Sequence, residues 1–474
     1  MGLHTSHQSW TDAQWNQALE HIPTALMNRP IKVIASTLDN TPAFVAVDDW
    51  ARHHGWVHVP LPLFFTPAQM LHAVEAAGAD TWIGLSPYAA LWPQKKHQQV
   101  ECMGEVVIVT EIDASQVPVP PMTQTITFTS GTTGAPKGVC LSEAAMQAVA
   151  KSLADEMAPL QIKRHLNALP FAVLLENIAG LRTPRLAGAD VWTVPLGELG
   201  WQGASVFDAE QFHKTVLNYR PQSLILLPQM LRAWCGYLTQ NGKHAPPDLR
   251  LVAVGGAPVG LPLLRTAHHL GLPVVEGYGL SEGASVQCLN NRDTNRPGSV
   301  GRLLPHTKAR VADDGELWIQ GSLMEGYLGD SSPAPTEWPT GDLASIDSDG
   351  YVFIAGRKKN VLITSFGRNV SPEWVETLLR SEPSIREAVV LGDGMPHLSA
   401  VLWPHNEQIT DSDFSDAVRR INAELPDYAR IGNWHLALKQ FNAETGMSTA
   451  NGRPCRDAIF QTHAQVLGLF SSQE

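Results

Sequence analysis

The chain has 474 residues, of which 44% are hydrophobic and 17% charged, and a formal net charge of −12. Such a length suits two or three domains with separate cores, and the balance excludes a disordered chain. With no basic excess to displace counterions, a general binder of nucleic-acid backbones is excluded too. Five scattered cysteines without a Cys-x-x-Cys predict a reducing, cytoplasmic setting. Met1 to Trp10 is polar, so no signal peptide is expected, and no apolar run approaches the ~20 residues of a membrane span. Met1-Gly2-Leu3-His4-Thr5-Ser6 fits the loose myristoylation pattern by coincidence.

In chain order, short aliphatic runs alternate with helical patterns, which predicts a layered α/β architecture. The runs are Lys32–Ala35, Glu105–Thr110, Thr125–Thr129, Ser223–Leu227, Leu251–Val254 and Val274–Glu276. Ser142 is placed to cap a helix whose buried face is Met146, Val149, Ala150, Leu153 and Met157. After Arg302 the texture changes. Lys308–Val311, Glu316–Gln320 and Tyr351–Ala355 read as antiparallel strands, with Asp-Gly turns at Asp314-Gly315 and Asp349-Gly350. A charged segment, Arg357–Asn360, precedes a strand (Val361–Thr364) and a helix opened by Ser371 and Pro372, with Val375, Leu378 and Leu379 inward. Ala388–Leu391 and Leu398–Trp403 then read as strands around Gly392-Asp393-Gly394. The expected organisation is a large N-terminal domain of stacked sheets and helices, 1–356, and a small mobile C-terminal α+β domain, 357–474.

The sharpest local signal is Thr127 to Gly138, where a strand feeds Thr129, Ser130, Gly131, Thr132, Thr133, Gly134, Ala135, Pro136 and Lys137. Small residues let the backbone approach a phosphate chain, hydroxyls donate hydrogen bonds, and Lys137 supplies positive charge. It is not a Walker loop, because no Gly-Lys-Ser/Thr follows at the required spacing. Ser130 to Gly138 resembles the phosphate-binding loop of the adenylate-forming superfamily, which includes acyl-CoA synthetases. Other segments resemble that family in its order: Gly255-Gly256-Ala257-Pro258, Glu276-Gly277-Tyr278-Gly279-Leu280-Ser281-Glu282, Thr340-Gly341-Asp342 and Gly356-Arg357-Lys358-Lys359. Fainter matches are Asn40-Thr41-Pro42 and Val59-Pro60-Leu61.

The resemblance implies ATP, Mg²⁺ and coenzyme A (or a carrier-protein phosphopantetheine) as cofactors. It also implies that Gly256–Pro258 and Tyr278 flank adenine, Glu282 ligates Mg²⁺, Asp342 and Arg357 hold the ribose, and Lys359 is the pivot. Within the superfamily the chain resembles long-chain acyl-CoA synthetases at Gly356–Pro372, Gly392–Pro396 and Phe441–Gly446 with Glu444, although Phe366 replaces a usual glycine. Leu169–Glu176 is similar to their Leu-Pro-Leu-Ala-His-x-Phe-Glu, with Val173 in place of histidine. The implied activity is ATP-dependent conversion of a carboxylic acid, expected to be a fatty acid, to acyl-AMP and transfer to coenzyme A. An acyl carrier protein as acceptor, or a degenerate binder of ATP or acyl-AMP, are the alternatives.

The largest departure is Arg453, which aligns with the family's adenylation lysine. Arginine keeps the charge but presents a broad planar fork, and Arg453, Lys137 and Glu282 form the expected catalytic set. The acyl pocket is expected around Leu174–Gly180, Leu227–Leu231 and Val254–Gly256. Other candidates weigh less. His53, His54 and His58 lie close together, but no carboxylate or thiol stands out beside them, so no metal site is expected. His268-His269 reads as a helix end, and Cys140 as a buried small hydrophobe.

Overall fold

The computed structural model describes residues 2–27, 30–113, 115, 117–129, 136–203, 206–365, 368–442, 444–449 and 453–467. Among them, two large sheets dominate the first 300 residues. An eight-stranded sheet runs in the order Gly326–Tyr327, Lys137–Ser142, Thr123–Thr129, Val57–Pro60, Val33–Thr37, Thr81–Gly84, Glu105–Glu111 and His97–Cys102. A nine-stranded sheet has Arg164–Leu166, Ser223–Leu226, Leu251–Val254 and Val274–Tyr278 as its parallel centre. The helix Glu143–Met157 packs against both. Ser142 caps it by accepting from the Ala145 N–H, and its predicted apolar face is buried.

A four-stranded antiparallel sheet follows: Thr307–Val311, Glu316–Gly321, Glu337–Ile346 and Val352–Arg357. The sequence reading missed Glu337–Ile346, the strand that carries Asp342. Its run Glu337-Trp338-Pro339-Thr340-Gly341-Asp342 lacks apolar alternation, and pairing on both sides, not composition, makes it a strand. Beyond residue 360 a separate core gathers Val375, Leu379, Ala388, Leu402 and Phe414 around the sheet Ile385–Leu391, Leu398–Pro404, Ile431–Leu436. The fold is therefore mixed α/β, with a large N-terminal and a smaller C-terminal domain. The strand expected over Val361–Thr364 shrinks to Leu362–Ile363, paired with Asn369–Val370. Leu378 is only half-buried on the helix Pro372–Leu379. His268 and His269 end the helix Leu261–His269, and Cys140 is buried with its thiol pushed up to about 12 by burial. No helix among the described residues is long and apolar enough to cross a membrane.

A buried ionic network ties the layers together. Asp48, on the helix Pro42–His54, accepts from Arg182 at 3.2 Å and pairs with His58 at 2.9 Å. Arg182 also reaches Glu143 at 2.6 Å, in the first turn of the helix that follows the Lys137 strand. His58 thus has a carboxylate partner after all, ten residues back along the chain, contrary to the sequence reading. The reason is that the helix Pro42–His54 folds back over the strand Val57–Pro60. Burial disfavours the Asp48 charge, but Arg182 and His58 outweigh it and hold the carboxyl well below its ordinary range. Asp48→Ala leaves Arg182 and His58 short of their carboxylate, and we expect a loss of about 3–5 kcal/mol in urea unfolding at pH 7. Asp48 stabilises the fold above the ordinary carboxyl pKa, and that contribution fades as pH falls through its depressed native value. The gap between wild type and variant therefore narrows in strong acid.

Candidate active site

Lys137 and Thr129 face each other as the last pair between the strands Lys137–Ser142 and Thr123–Thr129. The loop residues Ser130, Gly131, Thr132, Thr133 and Gly134 lie outside the described residues. On the other edge, a short segment stitches this strand to the Glu282 turn. The Met324 N–H donates to the Glu282 carbonyl at 2.8 Å, Glu325 to Cys140 at 2.8 Å and Leu328 to Gly138 at 2.8 Å. Between them Tyr327 pairs with Val139. Its hydroxyl donates to Glu282 Oε1 at 2.8 Å, and its ring lies 5.6 Å from Lys137 Nζ. Tyr327 escaped the sequence reading because Gly-Tyr is a common pair. Nothing local marks it as the neighbour of residues 45 and more positions away.

A second cluster forms around Asp342, which is 5% exposed. Tyr278 donates its hydroxyl to Asp342 Oδ2 at 2.6 Å, and Arg357 Nε meets Oδ1 at 2.9 Å. Arg357 also donates to the Thr340 carbonyl at 3.1 Å. Burial raises the Asp342 pKa, while Arg357, Tyr278 and Arg453 oppose that rise. Gly256, Ala257 and Pro258 form an exposed turn, with Gly256 in the left-handed region at φ +85°. The Glu276–Glu282 segment leaves its strand after Tyr278 and closes a tight turn over Ser281–Gly283. A Cβ on Gly279 would run into the Ser285 carbonyl, so only glycine permits this close approach. Gly277 packs its backbone against Cys288 in the neighbouring strand.

Arg453 is brought in from the C-terminal domain. Its backbone is held by Thr449, whose N–H donates to the Arg453 carbonyl at 2.8 Å. Its guanidinium reaches the Gly256 carbonyl at 3.5 Å, across 197 residues of sequence. Crowding by protein atoms lowers its pKa, as does the Arg357 charge, and Asp342 and Glu282 oppose both. The residue nevertheless keeps solvent exposure. Arg453, Arg357, Asp342 and Glu282 therefore share one electrostatic neighbourhood. Lys359 belongs to the short turn Lys358–Asn360, where burial, Arg357 and Arg453 lower its pKa. Its neighbour Lys358 is tied to Asp314 at 2.6 Å and Glu316 at 2.8 Å. Val173, where the family has histidine, is half-buried.

A layered α/β body whose Gly256 turn is touched by Arg453 of a small α+β domain is the build of an adenylate-forming protein. The chain belongs to the AMP-binding enzyme family: that family's model matches residues 3–328, and the AMP-binding enzyme C-terminal domain matches residues 359–470. It is 29% identical over 256 residues to the long-chain-fatty-acid–CoA ligase FadD15 of Mycobacterium bovis, covering 48% of this chain and 43% of the relative. A 2-succinylbenzoate–CoA ligase of Staphylococcus aureus is 30% identical over 279 residues, covering 56% and 54%. The chain spans about half the length of these curated relatives. The o-succinylbenzoate CoA synthetase MenE of Bacillus subtilis, solved with the acyl-adenylate intermediate OSB-AMP, has a TM-score of 0.76 at 22% identity. That match covers 96% of this chain and 94% of the other, and it establishes a shared fold.

Glu276 offers a test of the strand that carries Tyr278. Burial pushes its pKa up to about 7 against the Gly298 N–H, which donates to Oε2 at 3.1 Å. Between its ordinary value of 4.5 and about 7 the folded chain holds a proton that the unfolded chain has lost. The stability cost is absent below that window, grows as pH rises through it and is complete above it. Glu276→Gln should flatten this part of the pH profile. We expect the urea midpoint of the wild type, relative to the variant, to fall from pH 4.5 to pH 7.5.

Proposed function

We propose that the protein uses ATP to activate a carboxylic acid as acyl-AMP and then passes the acyl group to a thiol, first of all that of coenzyme A. The observation that carries this reading is the placement of Arg453 beside Gly256 and within the field of Asp342 and Arg357, which unites residues of both domains. Asp342 can accept hydrogen bonds from a vicinal diol such as a ribose, and Arg357 orients its carboxylate. Tyr278 offers its ring to a base while its hydroxyl is already occupied by Asp342. Lys137, with Thr129 and the loop Ser130–Gly134, suits a polyphosphate. Lys359 is assigned as the pivot between a body of residues 1–356 and a mobile domain from 357.

Mg²⁺ fits this site in one way. Among the described residues no group of three or more His, Cys, Asp or Glu can hold a metal. A cation that keeps its waters and takes substrate phosphates needs only one carboxylate, and Glu282 is that carboxylate. When bound, Mg²⁺ supplies charge neutralisation on the phosphates. In the first step a carboxylate oxygen bonds to the α-phosphorus, and the bond to pyrophosphate breaks. Arg453 steadies the attacking carboxylate and Lys137 the departing phosphates. In the second, a thiolate attacks the acyl carbon and AMP leaves. A fatty acid is the first choice of substrate, supported by the likeness to FadD15. The succinylbenzoate ligases make aromatic acids the next class to try. Arg453 itself supports a second reading, a binder that holds ATP or acyl-AMP with little turnover, because its fork is bulkier than an ammonium.

Pyrophosphate release with ATP, Mg²⁺ and a panel of fatty and aromatic acids tests the first step. Thioester formation with coenzyme A, and separately with a phosphopantetheinylated carrier protein, tests the second. We expect release with at least one acid and thioester on coenzyme A; nucleotide binding with no product from any acid would instead favour the binder. Arg453→Ala should slow pyrophosphate release by roughly 100-fold, and Arg453→Lys should stay within about tenfold of wild type. An alanine variant as fast as wild type would remove Arg453 from the chemistry.

A further inference from the structure

The Lys137 strand and the Glu282 turn present opposite charges, a cation proposed for phosphate and an anion proposed for metal. Nothing in the chemistry of these groups stops them from closing on each other as an ion pair when no nucleotide is bound, and such a pair would occupy both functional groups. Yet among the described residues neither forms an ion pair; Tyr327 stands between them. Its position follows from register. Tyr327 is opposite Val139 in an antiparallel pair, and Val139 and Lys137 lie on the same face of their strand. Lys137 is thus the diagonal neighbour of Tyr327, within reach of a long side chain.

Each end of the tyrosine does something different. The ring face receives the Lys137 ammonium at 5.6 Å, inside the range for cation–π attraction. The hydroxyl donates to Glu282 Oε1 at 2.8 Å, and among the described residues Oε2 accepts no hydrogen bond. Trp338 meets the ring edge-on at 5.8 Å between centroids, which limits its rotation. The backbone bonds from Met324, Glu325 and Leu328 fix the segment on either side.

We propose that Tyr327 is a positioning residue that holds Glu282 with one oxygen free for Mg²⁺ and keeps Lys137 apart from it for phosphate. This rests on the nucleotide reading above and adds a role for a residue that touches neither nucleotide nor substrate in that reading. It predicts that the hydroxyl matters for metal and the ring for lysine. Tyr327→Phe keeps the ring and removes the hydroxyl; Tyr327→Leu removes both.

Calorimetric titration of ATP into the full chain, in EDTA and over a series of Mg²⁺ concentrations, separates the two. With Tyr327→Phe we expect the Mg²⁺ concentration for half-maximal enhancement of ATP binding to rise roughly tenfold, the size of a lost hydrogen bond to a charged group. Tyr327→Leu should in addition weaken ATP binding in EDTA by several-fold. In a Glu282→Gln background, Tyr327→Phe should have no further effect on the Mg²⁺ dependence, a non-additivity that a purely structural role would not produce. Thermal melting of each variant identifies loss of fold. A Tyr327→Phe protein that melts like wild type and shows an unchanged Mg²⁺ curve would overturn the inference while leaving the nucleotide reading intact. A wild type that binds no ATP under any condition would overturn that reading, and the inference with it.

Discussion

One buried carboxylate organises the candidate site. Asp342 is almost fully withdrawn from water, and an unpaired charge there would be costly. It is tolerated because Tyr278 and Arg357 converge on its two oxygens from different parts of the fold. Tyr278 ends a strand of the nine-stranded sheet, whereas Asp342 and Arg357 are paired across neighbouring strands of the four-stranded sheet. The Tyr278 hydrogen bond therefore ties the two sheets together, the ion pair fixes Asp342 within its own sheet, and the chain leaves Arg357 directly into the turn at Lys358–Asn360. Pairing also leaves polar groups gathered around an acidic centre, which a fully apolar joint could not offer.

The surroundings of Lys137 depend on backbone rather than charge. Residues 324–328 add an edge to the Lys137 strand and at the same time accept the Glu282 turn. A strand edge with no partner presents unpaired N–H and C=O groups. Covering this one brings Lys137 and Glu282 within one side chain, Tyr327, of each other. Behind it, the Asp48–Arg182–Glu143 network anchors the helix that continues the Lys137 strand. The global charge of −12 says little about the site, where Arg357, Lys359 and Arg453 act on one another's charge.

Much of this is legible in the amino-acid sequence. The aliphatic runs located the central parallel strands because both of their faces are buried, and Ser142 marked its helix start through its capping chemistry. Glycine-dependent turns were legible too: Gly279 sits where a Cβ would collide with the Ser285 carbonyl, so the motif carries its own steric reason. The strand with Asp342 and the partnership of His58 with Asp48 were not legible. A strand built by two-sided pairing needs no alternation, and a helix folding over its own following strand makes neighbours that spacing alone does not reveal.

The amino-acid sequence by itself determined the family-like order of motifs, the α/β layering and the identity of the groups available for nucleotide chemistry, because these depend on residue type and local spacing. Tertiary structure alone decided which of those groups meet. Tyr327 lies opposite Val139 through strand register, Arg453 reaches Gly256 through docking of one domain on the other, and Tyr278 finds Asp342 through the packing of two sheets. Such contacts join residues far apart in the chain, and their free energy comes from burial and pairing across layers that no local window contains.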